Sequence, residues 1–133
     1  MAGRTTVSLY LIAADAAKAL DFYVAGLGAT EVERWIDPEN GKVGHAEIRL
    51  GDSTLYVADG YAVMESIGVR NPTALGGTTV NFWLAVDDLE TALQRALEAG
   101  AVLRRPIEVN PNEGGRRARI SDPAGHAWTL TGR

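Results

Sequence analysis

A chain of 133 residues with 46% hydrophobic and 23% charged side chains has the length and apolar content of one folded domain, and is neither disordered nor fibrous in composition. It holds no Cys and two His, which excludes disulfides, thiolate chemistry and zinc sites built on thiolates or three imidazoles, so any metal would have to lean on carboxylates. The net charge of −4 has the wrong sign for a nucleic-acid partner, the apolar run Leu9 to Ala14 is too short for a bilayer, and no basic segment leads into an apolar signal region. A cytoplasmic protein is expected, one that engages small molecules or proteins and neither nucleic acid nor membrane.

In chain order, Val7 to Ala14 alternates as a strand, and Asp15 stands at the N-cap of a helix whose stripe is Ala16, Ala19, Leu20, Tyr23, Val24 and Leu27. Gly26 and Gly28 offer left-handed termination. Asn40-Gly41 between Glu31 to Ile36 and Val43 to Leu50 signals a hairpin, and Gly51-Asp52 does the same before Thr54 to Ala58. Asp59 to Thr79 is a long connector, to be read as a lid or a plain linker. A strand from Val80 follows. Asp87 or Asp88 then caps a second helix with the stripe Leu89, Ala92, Leu93, Ala96 and Leu97, ended by Gly100. Strands at Val102 to Val109, Arg117 to Ile120 and His126 to Leu130 are separated by the turns Asn110 to Gly115 and Asp122-Pro-Ala-Gly125.

The chain repeats itself. Val7 to Asp15 lies over Val80 to Asp88 at an offset of 73, and Gly28-Ala29 lies over Gly100-Ala101 at an offset of 72. Each copy reads βαβββ, with one helix covering one face of its sheet. Module 1 spans about 5–58, the connector 59–79 and module 2 about 80–133, all within a single domain 1–133.

The paired βαβββ units, the stretch from Asp15 through Ala19-Leu-Asp-Phe-Tyr23, the strand Gly44-His-Ala-Glu-Ile-Arg-Leu-Gly-Asp52, and Ser121-Asp-Pro-Ala-Gly-His-Ala-Trp-Thr-Leu130 together resemble the vicinal oxygen chelate superfamily of glyoxalases, bleomycin-resistance proteins and dioxygenases. The similarity is greatest to its demethylubiquinone-methyltransferase-like branch. It implies an α+β fold in which duplicated βαβββ modules form an incomplete barrel with a concave cleft, often as a homodimer. Metal-using members take ligands from the first and fourth strand of each module; carried onto this chain, those positions fall on Ser8, Tyr56, Asn81 and Thr129. None is a carboxylate or imidazole, so no divalent metal or other cofactor is expected.

Strand parity divides the remaining residues. Leu9, Leu11, Ala46, Ile48, Leu50, Leu55, Val57, Phe82, Leu84, Trp128 and Leu130 share the face a helix should cover. The opposite face carries Ser8, Tyr10, Ile12, Thr54, Tyr56, Asn81, Trp83, Ala85, Ala127 and Thr129, with His45, Glu47 and Arg49 beside Arg117 and Arg119. Tyr10, His45, Glu47, Tyr56, Asn81, Trp83, Arg117 and Arg119 are therefore the candidate ligand-binding residues, an aromatic wall with a few charges that suits a planar or amphipathic organic molecule. The repeat sets Arg117 and Arg119 against His45 and Glu47, and an ion pair between Glu47 and Arg119 is expected. His126 should satisfy backbone carbonyls, and Trp128 should be core. The chain has no nucleophile elbow and no phosphate loop, and what the resemblance implies is a metal-independent small-molecule-binding protein of the glyoxalase/bleomycin-resistance type that sequesters a drug or metabolite. The competing readings are a metal-dependent lyase, isomerase or dioxygenase, with His45 or Glu47 as base or ligand, and an accessory subunit with an unused cleft.

Overall fold

A computed structural model describes residues 5–112 and 114–132; Glu113, inside the expected Asn110 to Gly115 turn, lies outside the described residues. In chain order the elements are β1 (Leu9–Ala13), α1 (Ala16–Leu27), β2 (Thr30–Ile36), β3 (Val43–Leu50), β4 (Ser53–Asp59), α2 (Ala62–Glu65), α3 (Pro72–Leu75), β5 (Asn81–Ala85), α4 (Leu89–Glu98), β6 (Val102–Val109), β7 (Arg116–Ser121) and β8 (Ala127–Gly132). They build two four-stranded sheets of the same topology, β1-β4-β3-β2 and β5-β8-β7-β6. In each, the first strand runs parallel to the fourth and the other pairs are antiparallel. Neither sheet closes into a barrel. Among the described residues no helix is long and apolar enough to cross a membrane.

Both long helices start where the sequence says. The Asp15 carboxylate accepts from Lys18 N at 3.1 Å and the Asp88 carboxylate from Thr91 N at 3.1 Å, each satisfying one of the amides left free at a helix N-terminus. Of the two glycines near the end of α1, Gly28 takes the left-handed cap at φ 78°. Gly26 serves packing instead, since a Cβ there would lie 2.8 Å from Phe22 and 3.0 Å from Ala99 at the α1–α4 crossing. Across that crossing Arg95 Nε donates to Ala25 O at 2.7 Å, supplying a partner to the last turn of α1.

One hydrophobic core joins the modules: Leu11, Leu20, Phe22, Tyr23, Ile48 and Val57 from the first pack with Leu89, Leu93, Ile120, Trp128 and Leu130 from the second. Its polar centre is Asp122, 3% exposed, which accepts from Tyr23 Oη at 2.5 Å, Trp128 Nε1 at 2.9 Å, and the amides of Ala124 and His126 at 2.9 and 3.0 Å. Four donors compensate the buried carboxylate, and two of them are side chains the sequence marks as apolar-face residues.

Parity holds for most of the covered face. Leu11, Ala46, Ile48, Leu55, Val57, Trp128 and Leu130 are buried, whereas Leu9, expected with them, is 42% exposed because it lies at the start of β1, an edge strand beside an open cleft. Two residues expected on the open face are also buried. Ile12 lies under the connector, which begins at Gly60 against it, and Thr129 is enclosed within the second sheet by Trp83 and Arg119 on either side in register.

Candidate functional site

Register across the first sheet places Tyr10, Tyr56, Glu47 and Glu33 in one row and His45 opposite Trp35 in the adjacent one. Tyr10, Tyr56 and His45 form a triangle of rings with centroids 5.2 to 5.6 Å apart. The Tyr10 hydroxyl hydrogen-bonds His45 Nδ1, and His45 Nε2 lies 3.3 Å from Glu33 Oε1. Partial burial, together with the neighbouring Tyr56 phenol, pushes the Tyr10 hydroxyl above the ordinary phenol range, so Tyr10 stays protonated. Three of the expected site residues thus converge, and they recruit Glu33, which sequence reasoning left unassigned. Its signal was available, because Glu33 and Trp35 alternate on β2 with the parity of His45 and Glu47 on β3.

The second sheet brings Asn81, Trp83, Arg117 and Arg119 onto its open face with different chemistry. Trp83, Thr129 and Arg119 share a row, and the Arg119 guanidinium carbon is 5.9 Å from the Trp83 ring centre. Arg117 Nε lies 3.6 Å from Glu108 Oε1, too far for a hydrogen bond, and is a buried donor with no hydrogen-bond partner among the described residues. The expected Glu47–Arg119 ion pair is not formed. The repeat makes the two positions equivalent, Glu47 opposite Tyr56 and Arg119 opposite Thr129, and so puts them on separate sheets rather than against one another.

Two clefts meet at Val80, where the connector enters β5. The larger, about 610 Å³, runs between β1 and the connector and is lined by Tyr10, Ile12, Val69, Arg70, Pro72, Leu75 and His126. The other, about 470 Å³, lies between Leu9, Thr54, Leu55, Phe82 and Trp83. His126 is buried and its Nε2 is 3.0 Å from Ile12 O, so it ties the start of β8 to β1, as its expected role in satisfying carbonyls requires. Trp128 is core, stacked on Phe82 at 4.6 Å. The connector is anchored here as well: Gly125, at φ 93°, has no Cβ where one would come within 2.9 Å of Pro72.

The positions that metal-using members of the resembling superfamily employ do not suit a divalent ion. The Asn81 amide oxygen accepts from the Thr129 hydroxyl at 3.1 Å, and the Tyr56 phenol is packed between the Tyr10 and His45 rings. With Ser8 these make a donor set without carboxylate or imidazole. Among the described residues no three His, Cys, Asp or Glu side chains cluster in a way that could hold a metal elsewhere.

Comparison with known proteins agrees with this architecture. Residues 5–130 match the family model of the Glyoxalase/Bleomycin resistance protein/Dioxygenase superfamily, and the chain belongs to that superfamily. It is 39% identical over 124 residues to the uncharacterised protein Mb0911c of Mycobacterium bovis, covering 93% of this chain and 80% of that protein. The structure of the Arabidopsis thaliana protein At5g48480 superposes with a TM-score of 0.69 at 26% identity, over 98% of this chain and 99% of that one. A glyoxalase-related enzyme from Fulvimarina pelagi shares the fold, with a TM-score of 0.76 at 22% identity over 98% and 88% of the two chains.

Proposed function

We propose that this chain is a small-molecule-binding protein that works without a metal and sequesters an amphipathic organic ligand such as a drug or metabolite. The observation that carries the reading is the 610 Å³ cleft under the connector, with Ile12, Val69, Pro72, Leu75 and Val80 as apolar walls and Tyr10 and Arg70 as polar groups. In this reading residues 1–133 act as one unit, Asp59 to Thr79 is the lid, and Tyr56 and Trp83 supply stacking surface on the two open faces. Native mass spectrometry of protein purified without chelator should show a retained small organic mass and no stoichiometric metal. Stoichiometric divalent metal, with metal-dependent turnover of a hemithioacetal, would falsify the reading in favour of a lyase.

A homodimer related by a two-fold axis is part of the proposal. Each sheet has two edge strands, and the open faces differ in charge, Glu33 and Glu47 with Arg49 on the first and Arg117 and Arg119 with Glu108 on the second. Sedimentation at micromolar concentration should give twice the 14.2 kDa chain mass; a monomer alone contradicts the dimer. The net charge of −4 supports a protein that leaves nucleic acid alone, and the absence of Cys suits a reducing cytoplasm.

A further inference from the structure

Tyr10 belongs to two features at once. It lines the cleft under the connector, and on the first sheet its hydroxyl hydrogen-bonds His45, whose Nε2 lies in ion-pair distance of Glu33. With the His45 ring proton on Nε2, the nitrogen nearest Glu33, Nδ1 is left bare to accept from the Tyr10 hydroxyl. This is the order of a carboxylate, an imidazole and a hydroxyl in which the first group orients the second and the second takes the proton of the third. The groups that face His45 are few: Tyr10 from β1, Tyr56 from β4, Glu33 and Trp35 from β2, and Glu47 two residues along β3. Among the described residues the one carboxylate in ion-pair distance is Glu33, so an imidazolium formed here would be held beside it.

We propose that Glu33, His45 and Tyr10 are a proton relay ending at the Tyr10 hydroxyl, and that it interconverts the keto and enol forms of an apolar keto acid seated in the cleft. The inference rests on the binding reading above and adds chemistry to it. Arg70 on the cleft wall is the cation for the ligand carboxylate; its Nη2 donates to Glu65 O at 3.4 Å and its Nη1 lies 3.9 Å from the Glu65 carboxylate, a loose ion pair that holds the side chain at the rim and that the ligand carboxylate would share. The walls from Ile12, Val69, Pro72 and Leu75 take the apolar end. In the step itself, the C–H bond beside the ligand carbonyl breaks, its proton passes to Tyr10 Oη, and the Tyr10 proton passes to His45 Nδ1. The electron pair left behind makes the enolate, and the imidazolium is balanced by Glu33. Return of one proton through Tyr10 to the enolate oxygen gives the enol and restores the relay. No oxidant or reductant is consumed. Tyr10 is the catalytic group, and His45 and Glu33 act through it.

Phenylpyruvate, an aromatic keto acid whose enol absorbs in the ultraviolet, is the probe. The full chain should accelerate its keto–enol interconversion by about 10²-fold or more over buffer, the usual reach of a positioned acid and base. Tyr10→Phe should abolish the acceleration while saturation-transfer NMR still detects bound phenylpyruvate. Arg70→Ala should raise KM and leave kcat unchanged. The nitrogen-15 shifts of the two histidines should report the Nε2–H tautomer for His45, and Glu33→Ala should mix its tautomers and slow turnover about tenfold. Equal rates for the wild type and Tyr10→Phe overturn the relay, as does an Nδ1–H tautomer in the wild type. Binding without acceleration overturns the relay and leaves the binding reading standing. Neither binding nor acceleration overturns the relay and the cleft assignment together.

Discussion

Phe82 and Trp83 are adjacent on β5, yet one stacks on Trp128 at 4.6 Å inside the covered face while the other is 49% exposed on the open face. The same contrast runs through both sheets. Covered-face side chains interlock with α1, α4 and one another, so removing one leaves a void that rigid neighbours cannot fill. Open-face side chains meet solvent and a few partners, so their loss alters chemistry with little change in stability. Asp122 stands apart as a charge on the covered side, and its four donors make it the point where α1 of module 1 is held to β8 of module 2.

The sharpest way to break this comparison is Asp122→Ala, which strands the Tyr23 hydroxyl, the Trp128 indole and two backbone amides away from water. A loss of about 3–5 kcal/mol is expected in urea melts, because each orphaned donor costs roughly 1–3 kcal/mol and some will recover water. A loss below about 1 kcal/mol would mean the seam is not held there. Phe82→Ala should cost about 3 kcal/mol, at the low end for a buried aromatic because Phe82 keeps some exposure.

Tyr23 gives the covered side a pH signature. Burial first, then the adjacent Asp122 charge and their hydrogen bond, raises its phenol well above the ordinary value near 10. Above about pH 10 the unfolded chain releases this proton while the folded chain retains it, so the contribution of Tyr23 is intact below pH 10 and is lost as pH rises toward its folded value. The slope is about 1.4 kcal/mol per pH unit for this one proton. Chemical denaturation of wild type and Tyr23→Phe between pH 9 and about pH 11 should therefore show the wild type falling more steeply by that amount; parallel curves would remove Tyr23 from the account.

The smallest effect belongs to the open face. Trp83→Ala should change stability by no more than about 0.5–1 kcal/mol, as surface substitutions do, while weakening a ligand stacked there by roughly 1–3 kcal/mol. Thermal melts of Trp83→Ala beside Phe82→Ala read the stability difference without any ligand. If the two prove equally destabilising, the open faces are a second core and the cleft is closed by its own side chains.

The two modules teach a second lesson. Their backbones repeat, β1 pairing with β4 as β5 pairs with β8, but the open face of one presents Tyr10, His45, Glu33 and Glu47, and that of the other Trp83, Arg117 and Arg119. Duplication conserved the hydrophobic pattern that covers each sheet and left the outward positions free to diverge, because only the inward set is constrained by packing.

Local signals were enough for the strands, the two long helices and most of their faces, but not for α2 and α3 inside the connector or for the exposure of Leu9 and the burial of Ile12 and Thr129. The strands β3 and β6 run from Val43 to Leu50 and from Val102 to Val109 as the alternation and turn residues predict, and Asp15, Gly28 and Asp88 bound their helices where capping chemistry requires. The eight candidate residues lie on β1, β3, β4, β5 and β7. Tertiary structure decided what parity cannot reach. A period of two tells which way a side chain leaves its strand, but not which strand lies beside it or what later covers that face. That is why Glu47 and Arg119, equivalent by repeat, stand on different sheets, why His45 finds Glu33 and Tyr10, why the connector buries Ile12, and why Asp122, a turn residue in one dimension, becomes the polar centre of the core in three.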